Sequence, residues 1–137
     1  MKNQILYFAY GSNMNLGQTA QRMPGAIHLG AAVLRNHVVV ERMFADVEAA
    51  RGRDVYGVLF RIGPRELAAL DRYEGFPTLY RRVWKTVHYR GDRVKAMLYE
   101  MTPPTRRDRD WEPYSDYYRE VCSEGARQHG IPDAFGG

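Results

Sequence analysis

The sequence predicts an α+β fold in one domain over residues 1–137, with a twisted, barrel-like sheet flanked by helices. Three observations support this. The length of 137 residues suits a single hydrophobic core. Strand-like and helical segments follow in the order β, short α, β, β, α, β, β, α, which is not the regular alternation of a doubly wound sheet. The chain contains no internal repeat or low-complexity segment that would indicate an array.

The first predicted elements are a strand, a turn and a short helix. Residues 4–10 are apolar on both faces, which is typical of a central strand, and the run stops at Gly11. Asn13 or Asn15 can cap a short helix that ends before Pro24. This order predicts that a buried strand leads directly into a helix N-terminus.

The next part of the chain is strand-like on either side of a predicted loop. Residues 26–41 form a long β-like stretch, residues 43–52 have few strand signals, and residues 55–62 read as a buried strand. Gly57 interrupts that strand, which indicates a bulge or a close approach of another backbone.

The C-terminal half contains a predicted hairpin and a last helix. Residues 80–89 and 94–101 are strand-like and are joined by the short Gly/Asp-containing segment 90–93, which predicts antiparallel pairing. Residues 102–112 are polar and are predicted to form a loop. Residues 115–129 are predicted to form the last helix.

Composition excludes several classes of protein. The hydrophobic share is 45% and the charged share 26%, as in ordinary globular proteins, and no apolar run is long enough for a membrane span. The net charge is +4, but the arginines are scattered and form no basic stripe, which argues against nucleic-acid binding. With no signal peptide pattern at the N-terminus, we expect a cytoplasmic protein.

Cysteine and histidine usage gives little support for a metal or covalent mechanism. Cys122 is the only cysteine, so no internal disulfide, zinc cluster or redox pair is available, and we expect it to be a buried helix residue. The four histidines have no spacing typical of metal ligands. We therefore predict no metal site.

Glu74 is the first candidate for chemistry. Gly63 and Pro64 predict the start of a helix that runs to Glu74. The spacing of Leu67, Leu70 and Glu74 places the carboxylate on the apolar face, where burial and the helix C-terminus both raise a carboxyl pKa. Such a group suits general acid-base catalysis. The alternative is that the helix end frays and Glu74 turns into solvent.

Residues 10–13 (Tyr-Gly-Ser-Asn) are the second candidate site. They connect a buried strand to a helix, so their backbone N–H groups could bind an anion such as a substrate carboxylate. The alternative is an ordinary tight turn in which Gly11 supplies a positive φ and Asn13 only caps the helix. The residues by themselves leave both interpretations open.

Three segments in this order resemble the γ-glutamylcyclotransferase-like family, which includes the AIG2-like proteins. They are residues 7–14 (YFAYGSNM), 70–75 (LDRYEG) and 125–132 (GARQHGIP). The resemblance implies a six-stranded barrel-like α+β fold. It also implies that Glu74 acts as acid-base, that the loop of Tyr10, Gly11, Ser12 and Asn13 holds the glutamyl group, and that Tyr118 lies near the substrate.

The resemblance further implies a reaction. The α-amine of a γ-glutamyl compound attacks its own γ-carbonyl and releases 5-oxoproline and an amino acid or amine, without a cofactor. The expected partner is thus a small γ-glutamyl molecule, and the expected assembly is a monomer or homodimer. Two alternatives stay open, a non-catalytic module that binds a small metabolite, and an enzyme that removes a γ-glutamyl cap from a biosynthetic intermediate or isopeptide.

Overall fold

A closed, mixed β-barrel forms the centre of the molecule in the computed structural model, which describes residues 3–136. Its strands are β1 (Ile5–Ala9), β2 (Ile27–Arg42), β3 (Phe44–Ile62), β4 (Tyr80–Tyr89) and β5 (Asp92–Met101). They are ordered β1-β3-β2-β4-β5, and the barrel closes where β5 pairs with β1 in parallel at Tyr7 and Met97. The other neighbouring strands are antiparallel.

Helices pack around this barrel and complete the predicted α+β fold. They are a short 3-10 helix (Ser12–Met14), α1 (Leu16–Arg22), α2 (Pro64–Glu74), α3 (Pro103–Arg109) and α4 (Asp116–His129). Ser115 caps α4, its side chain accepting from the backbone N–H of Tyr118 at 3.0 Å. No helix within residues 3–136 is both long enough and apolar enough to cross a membrane.

The barrel has five strands among the described residues, one fewer than the resemblance implied. Two of them are unusually long, since β2 has 16 residues and β3 has 19. Register shifts between His28 and Gly30 and between Arg35 and His37 let this long hairpin bend.

The loop predicted over residues 43–52 is wrong, because residues 44–52 belong to β3. Its pairing with β2 runs from Arg42 opposite Phe44 to His37 opposite Ala49. Ala45 and Val47 are buried, although Asp46 and Glu48 beside them are charged and have low strand propensity. Pairing with a long partner strand overrides that local preference.

The polar loop predicted over residues 102–112 is also wrong, because residues 103–109 form α3. The helix begins with proline at its first position, where the missing N–H costs nothing. Arg106 anchors it, donating to the buried Asp46 carboxylate at 2.7 Å and to the Val47 carbonyl at 3.0 Å. A helix of seven residues with this composition depends on such tertiary contacts.

The close backbone approach predicted at Gly57 is confirmed. A Cβ at this position would collide with the Ala9 carbonyl and lie 2.6 Å from the Phe8 ring. Glycine therefore lets β3 pack tightly against the end of β1. This contact fixes the strand that leads directly into the turn at residues 10–13.

Candidate active site

A cavity of about 170 Å³ opens where β1, β3, α2 and α4 meet. It is smaller than the roughly 300–1,000 Å³ typical of pockets for drug-sized ligands, so it suits a small metabolite. All six residues singled out from the sequence line it, namely Tyr10, Gly11, Ser12, Asn13, Glu74 and Tyr118. The fold thus brings together three segments that are far apart in the chain.

The turn after β1 presents backbone donors to this cavity. Within the described part of the chain, the N–H groups of Gly11, Ser12 and Asn13 have no hydrogen-bond acceptor, whereas the next N–H, that of Met14, donates to the Gly11 carbonyl at 3.1 Å. Unpaired N–H groups at a helix start are suited to an anionic oxygen.

The positive φ suggested for Gly11 is wrong, since its φ is −119°. The need for glycine comes from packing instead. A Cβ there would lie 3.0 Å from the hydroxyl oxygen of Tyr118 and 3.3 Å from the Cβ of Ala45. A larger residue would therefore fill the cavity and displace its walls.

Asn15, and not Asn13, caps α1. The Asn15 side chain accepts from the backbone N–H groups of Gly17 at 2.9 Å and Gln18 at 3.3 Å. The Asn13 side chain is buried and donates to the Tyr7 hydroxyl at 3.0 Å. The Asn13 side chain therefore fixes the turn against β1, while its backbone N–H has no acceptor among the described residues.

Glu74 occupies the last position of α2, with its side chain toward the cavity. Gly75 ends the helix in the left-handed conformation at φ 71°, and its N–H donates to the Arg72 carbonyl. This cap keeps the last turn helical, so the fraying alternative is wrong. Leu70, one turn earlier, is fully buried.

The Glu74 carboxylate has no hydrogen-bond donor and no ion-pair partner among residues 3–136. The residue is half-buried because it borders an open cavity, yet protein atoms enclose the carboxyl group, and this burial raises its pKa to about 7. The charge of Arg22 opposes the rise only in part. A carboxyl group titrating near neutrality can both take up and return a proton.

Tyrosines form much of the cavity wall, and the structure fixes their hydroxyl groups. Tyr10 donates to the Tyr99 carbonyl at 2.5 Å, and Tyr80 donates to the Ala45 carbonyl at 2.8 Å. The Tyr118 hydroxyl accepts from the Ala45 N–H at 3.1 Å. Burial raises the pKa values of Tyr10, Tyr80 and Tyr118 well above the ordinary range, so these hydroxyls stay protonated.

Comparison with known proteins adds to this geometry. A family model described as gamma-glutamyl cyclotransferase, AIG2-like, matches residues 7–119. The chain belongs to this family. The matched span contains all six of the residues named from the sequence.

Relatives in this gamma-glutamyl cyclotransferase family cover nearly all of the chain. It is similar to the gamma-glutamylcyclotransferase of Bos taurus, with 27% identity over 93% of this chain and 73% of the bovine protein. A solved structure named gamma-glutamyl cyclotransferase superposes with a TM-score of 0.80 and 25% identity, covering 94% of this chain and 82% of that one. An uncharacterized human protein gives 0.82 at 25% identity, covering 96% and 83%.

Arg22 contacts two of the cavity-lining residues, Ser12 and Asn13, and was not indicated by the sequence. Its guanidinium donates to the Ser12 side chain at 3.1 Å and to the Asn13 side chain at 2.6 Å, and it lies 3.5 Å from the centre of the Tyr73 ring. The only sequence signal was a basic residue in the last turn of a helix, which is common. Its contacts depend on α1 folding back over the turn.

Cys122 is fully buried in α4, as predicted. Burial raises its pKa to about 12, so the thiol is not an activated nucleophile. Tyr117, which precedes Tyr118 in the chain, is 73% exposed. Within residues 3–136, no three His, Cys, Asp or Glu side chains are grouped as metal ligands would be.

Proposed function

We propose that this protein is a cofactor-independent γ-glutamyl cyclotransferase. The α-nitrogen of a γ-glutamyl substrate attacks the γ-carbonyl carbon, a new C–N bond closes the five-membered ring, and the C–N bond to the leaving group breaks. Two protons of the α-ammonium end on the departing nitrogen. The products are 5-oxoproline and a free amino acid or amine.

The main support for the proposal is Glu74, which lines the cavity, has a pKa of about 7, and has no polar partner among the described residues. An α-ammonium must lose a proton before its nitrogen can attack, and the leaving nitrogen must gain one. A single carboxyl group that titrates near the working pH serves both steps. Glu74 would first act as base and then return the proton as acid.

The turn at residues 11–13 would hold an anionic oxygen of the glutamyl group. Its three unpaired N–H groups supply preorganised donors, and the Arg22 guanidinium behind Ser12 and Asn13 adds positive charge. The Tyr118 hydroxyl, which accepts a hydrogen bond from the Ala45 N–H, would contact the substrate from α4.

The small size of the cavity supports an intramolecular reaction. Attack by a nucleophile already within the substrate can be worth effective molarities of about 10⁵–10⁸ M when the geometry is correct. The protein then has to fold the glutamyl chain and move protons, and no water or second substrate needs space. A cavity of about 170 Å³ is consistent with such a demand.

The test is release of 5-oxoproline. The purified protein is incubated with γ-glutamyl amino acids and γ-glutamyl amines in the presence of EDTA, with the matching α-glutamyl dipeptides as controls. We expect 5-oxoproline from at least one γ-glutamyl compound and none from the α-glutamyl controls. If the protein binds γ-glutamyl compounds but releases 5-oxoproline from none of them, the proposal is contradicted and a binding module is indicated.

A further inference from the structure

A second cationic side chain, Arg109, borders the cavity at the end of α3. It is half-buried, and its guanidinium lies 5.4 Å from the centre of the Phe44 ring, which also lines the cavity. Within the described part of the chain, Arg109 has no ion-pair partner and its side chain makes no hydrogen bond. Arg109 therefore brings to the cavity a positive charge that no carboxylate among the described residues neutralises.

Arg106, one turn earlier in the same helix, is different. It pairs with Asp46 at 2.7 Å and with Glu100 at 3.8 Å, and these contacts attach α3 to the barrel. Attachment of the helix therefore does not require Arg109. Arg22, the other cation near the cavity, is already bound to Ser12 and Asn13.

Arg109 and Tyr80 both line the cavity. Burial is the main cause of the raised Tyr80 pKa, and the Glu74 and Asp46 carboxylates add to it, while the positive charge of Arg109 opposes the rise. Arg109, from α3, therefore lines the cavity directly, whereas Arg22, from α1, contacts the Ser12 and Asn13 side chains of the turn.

Two large apolar side chains line the same cavity as Arg109. Phe44 is 37% exposed and Leu79 is 38% exposed, and both line the cavity. Arg109, Phe44 and Leu79 thus add a cation and apolar surface to a cavity whose other lining residues are rich in hydroxyl groups and backbone donors. A ligand group that carries both a carboxylate and a hydrocarbon chain would match it.

We propose that Arg109, Phe44 and Leu79 form the leaving-group subsite, and that the preferred leaving group is an amino acid with an apolar side chain. Its carboxylate would pair with Arg109, and its side chain would pack on Phe44 and Leu79. This inference rests on the cyclotransferase function proposed above. A leaving amine without a carboxylate would leave the guanidinium unpaired in a partly desolvated site, which disfavours it.

The decisive substrate pair is γ-glutamyl-leucine and γ-glutamyl-isoamylamine, which differ only by the carboxylate of the leaving group. For the wild-type protein we expect kcat/KM to be about 10- to 100-fold higher for the leucine compound. In Arg109→Gln the KM for the leucine compound should rise until this preference is lost, while turnover of the isoamylamine compound stays near the wild-type value.

Two further comparisons isolate each half of the subsite. Arg107→Gln removes an exposed arginine from the same helix and should leave the preference unchanged. Leu79→Ala should reduce the preference for γ-glutamyl-leucine over γ-glutamyl-glycine by about 5- to 20-fold, since it removes most of one apolar side chain. Thermal unfolding of each variant checks that the fold is retained.

Each outcome decides between the two proposals. Equal wild-type turnover of the leucine and isoamylamine compounds would overturn the subsite and leave the cyclotransferase function standing, whether or not Arg109→Gln folds. Retained preference in a folded Arg109→Gln would likewise overturn the role of Arg109. If wild-type protein releases 5-oxoproline from no γ-glutamyl compound, both proposals are overturned.

Discussion

Asp46 near the start of β3 and Glu74 at the end of α2 are two carboxylates in opposite situations. Asp46 is completely buried and fully paired, accepting from Arg42 at 2.7 Å, from Arg106 at 2.7 Å and from the backbone N–H of Met101 at 2.9 Å. Glu74 borders the cavity and, among the described residues, has no partner. The first carboxylate is part of the wall and the second is available to a ligand.

Asp71 shows that the partners, and not burial alone, set this difference. It lies one turn before Glu74 in α2 and is also partly buried, which by itself would raise its pKa. Hydrogen bonds from the Arg82 guanidinium and the Tyr99 hydroxyl outweigh burial and lower that pKa. The α2 helix therefore carries one carboxylate, Asp71, that is held in the charged form. Its other carboxyl group, Glu74, is partly protonated at neutral pH because its pKa is about 7.

The largest expected effect is on turnover in Glu74→Gln. The amide has nearly the same shape but cannot shuttle a proton, so kcat for a γ-glutamyl substrate should fall by about 10²–10⁴-fold. Circular dichroism and a binding assay should show a folded protein that still binds substrate. Glu120→Gln, at an exposed position of α4, is the control and should keep full activity. Normal turnover by folded Glu74→Gln would break the comparison.

Asp46→Asn should instead lose stability. Replacing the carboxylate leaves two arginines facing a neutral amide, which we expect to cost about 2–4 kcal/mol, since both arginines keep some solvent contact. Urea unfolding measures this, and at low temperature the folded fraction should keep far more activity than Glu74→Gln. Glu48→Gln is the control, because its carboxylate is 42% exposed and its pair with Arg42 should contribute less than about 1 kcal/mol. A loss no larger than in this control would remove the distinction.

The smallest effect is a pH dependence of stability. The pKa of Glu74 is raised from 4.5 to about 7 in the folded protein. Between these values the folded state binds a proton that the unfolded state releases, so the stabilising effect present below pH 4.5 is lost as pH rises through 7. Wild-type protein should therefore lose about 1–3 kcal/mol relative to Glu74→Gln between pH 4.5 and pH 8. Parallel urea unfolding free energies for the two proteins would contradict this.

Much of the fold follows from local patterns. The α2 helix has its proline start, its apolar spacing and its glycine end within residues 63–75, and all three are realised. The hairpin of β4 and β5 is similarly determined by two strand-like runs around a short turn. The loop predictions for residues 43–52 and 102–112 are wrong because these segments are structured by distant partners. The first pairs with β2, and the second is held by the contact between Arg106 and Asp46.

For the candidate site, the sequence by itself indicated residues that the structure places around one cavity. It indicated the turn at residues 10–13, the inward face of α2 that ends at Glu74, and, through family resemblance, Tyr118. Tertiary structure alone decided that Glu74 has no partner among residues 3–136 while Asp71 and Asp46 do, that Arg109 lines the cavity, and that Arg22 contacts the turn at Ser12 and Asn13. The physical reason is that residue spacing sets the face of an element on which a side chain lies, whereas the charge state and availability of that side chain depend on desolvation and on partners that folding brings from distant parts of the chain.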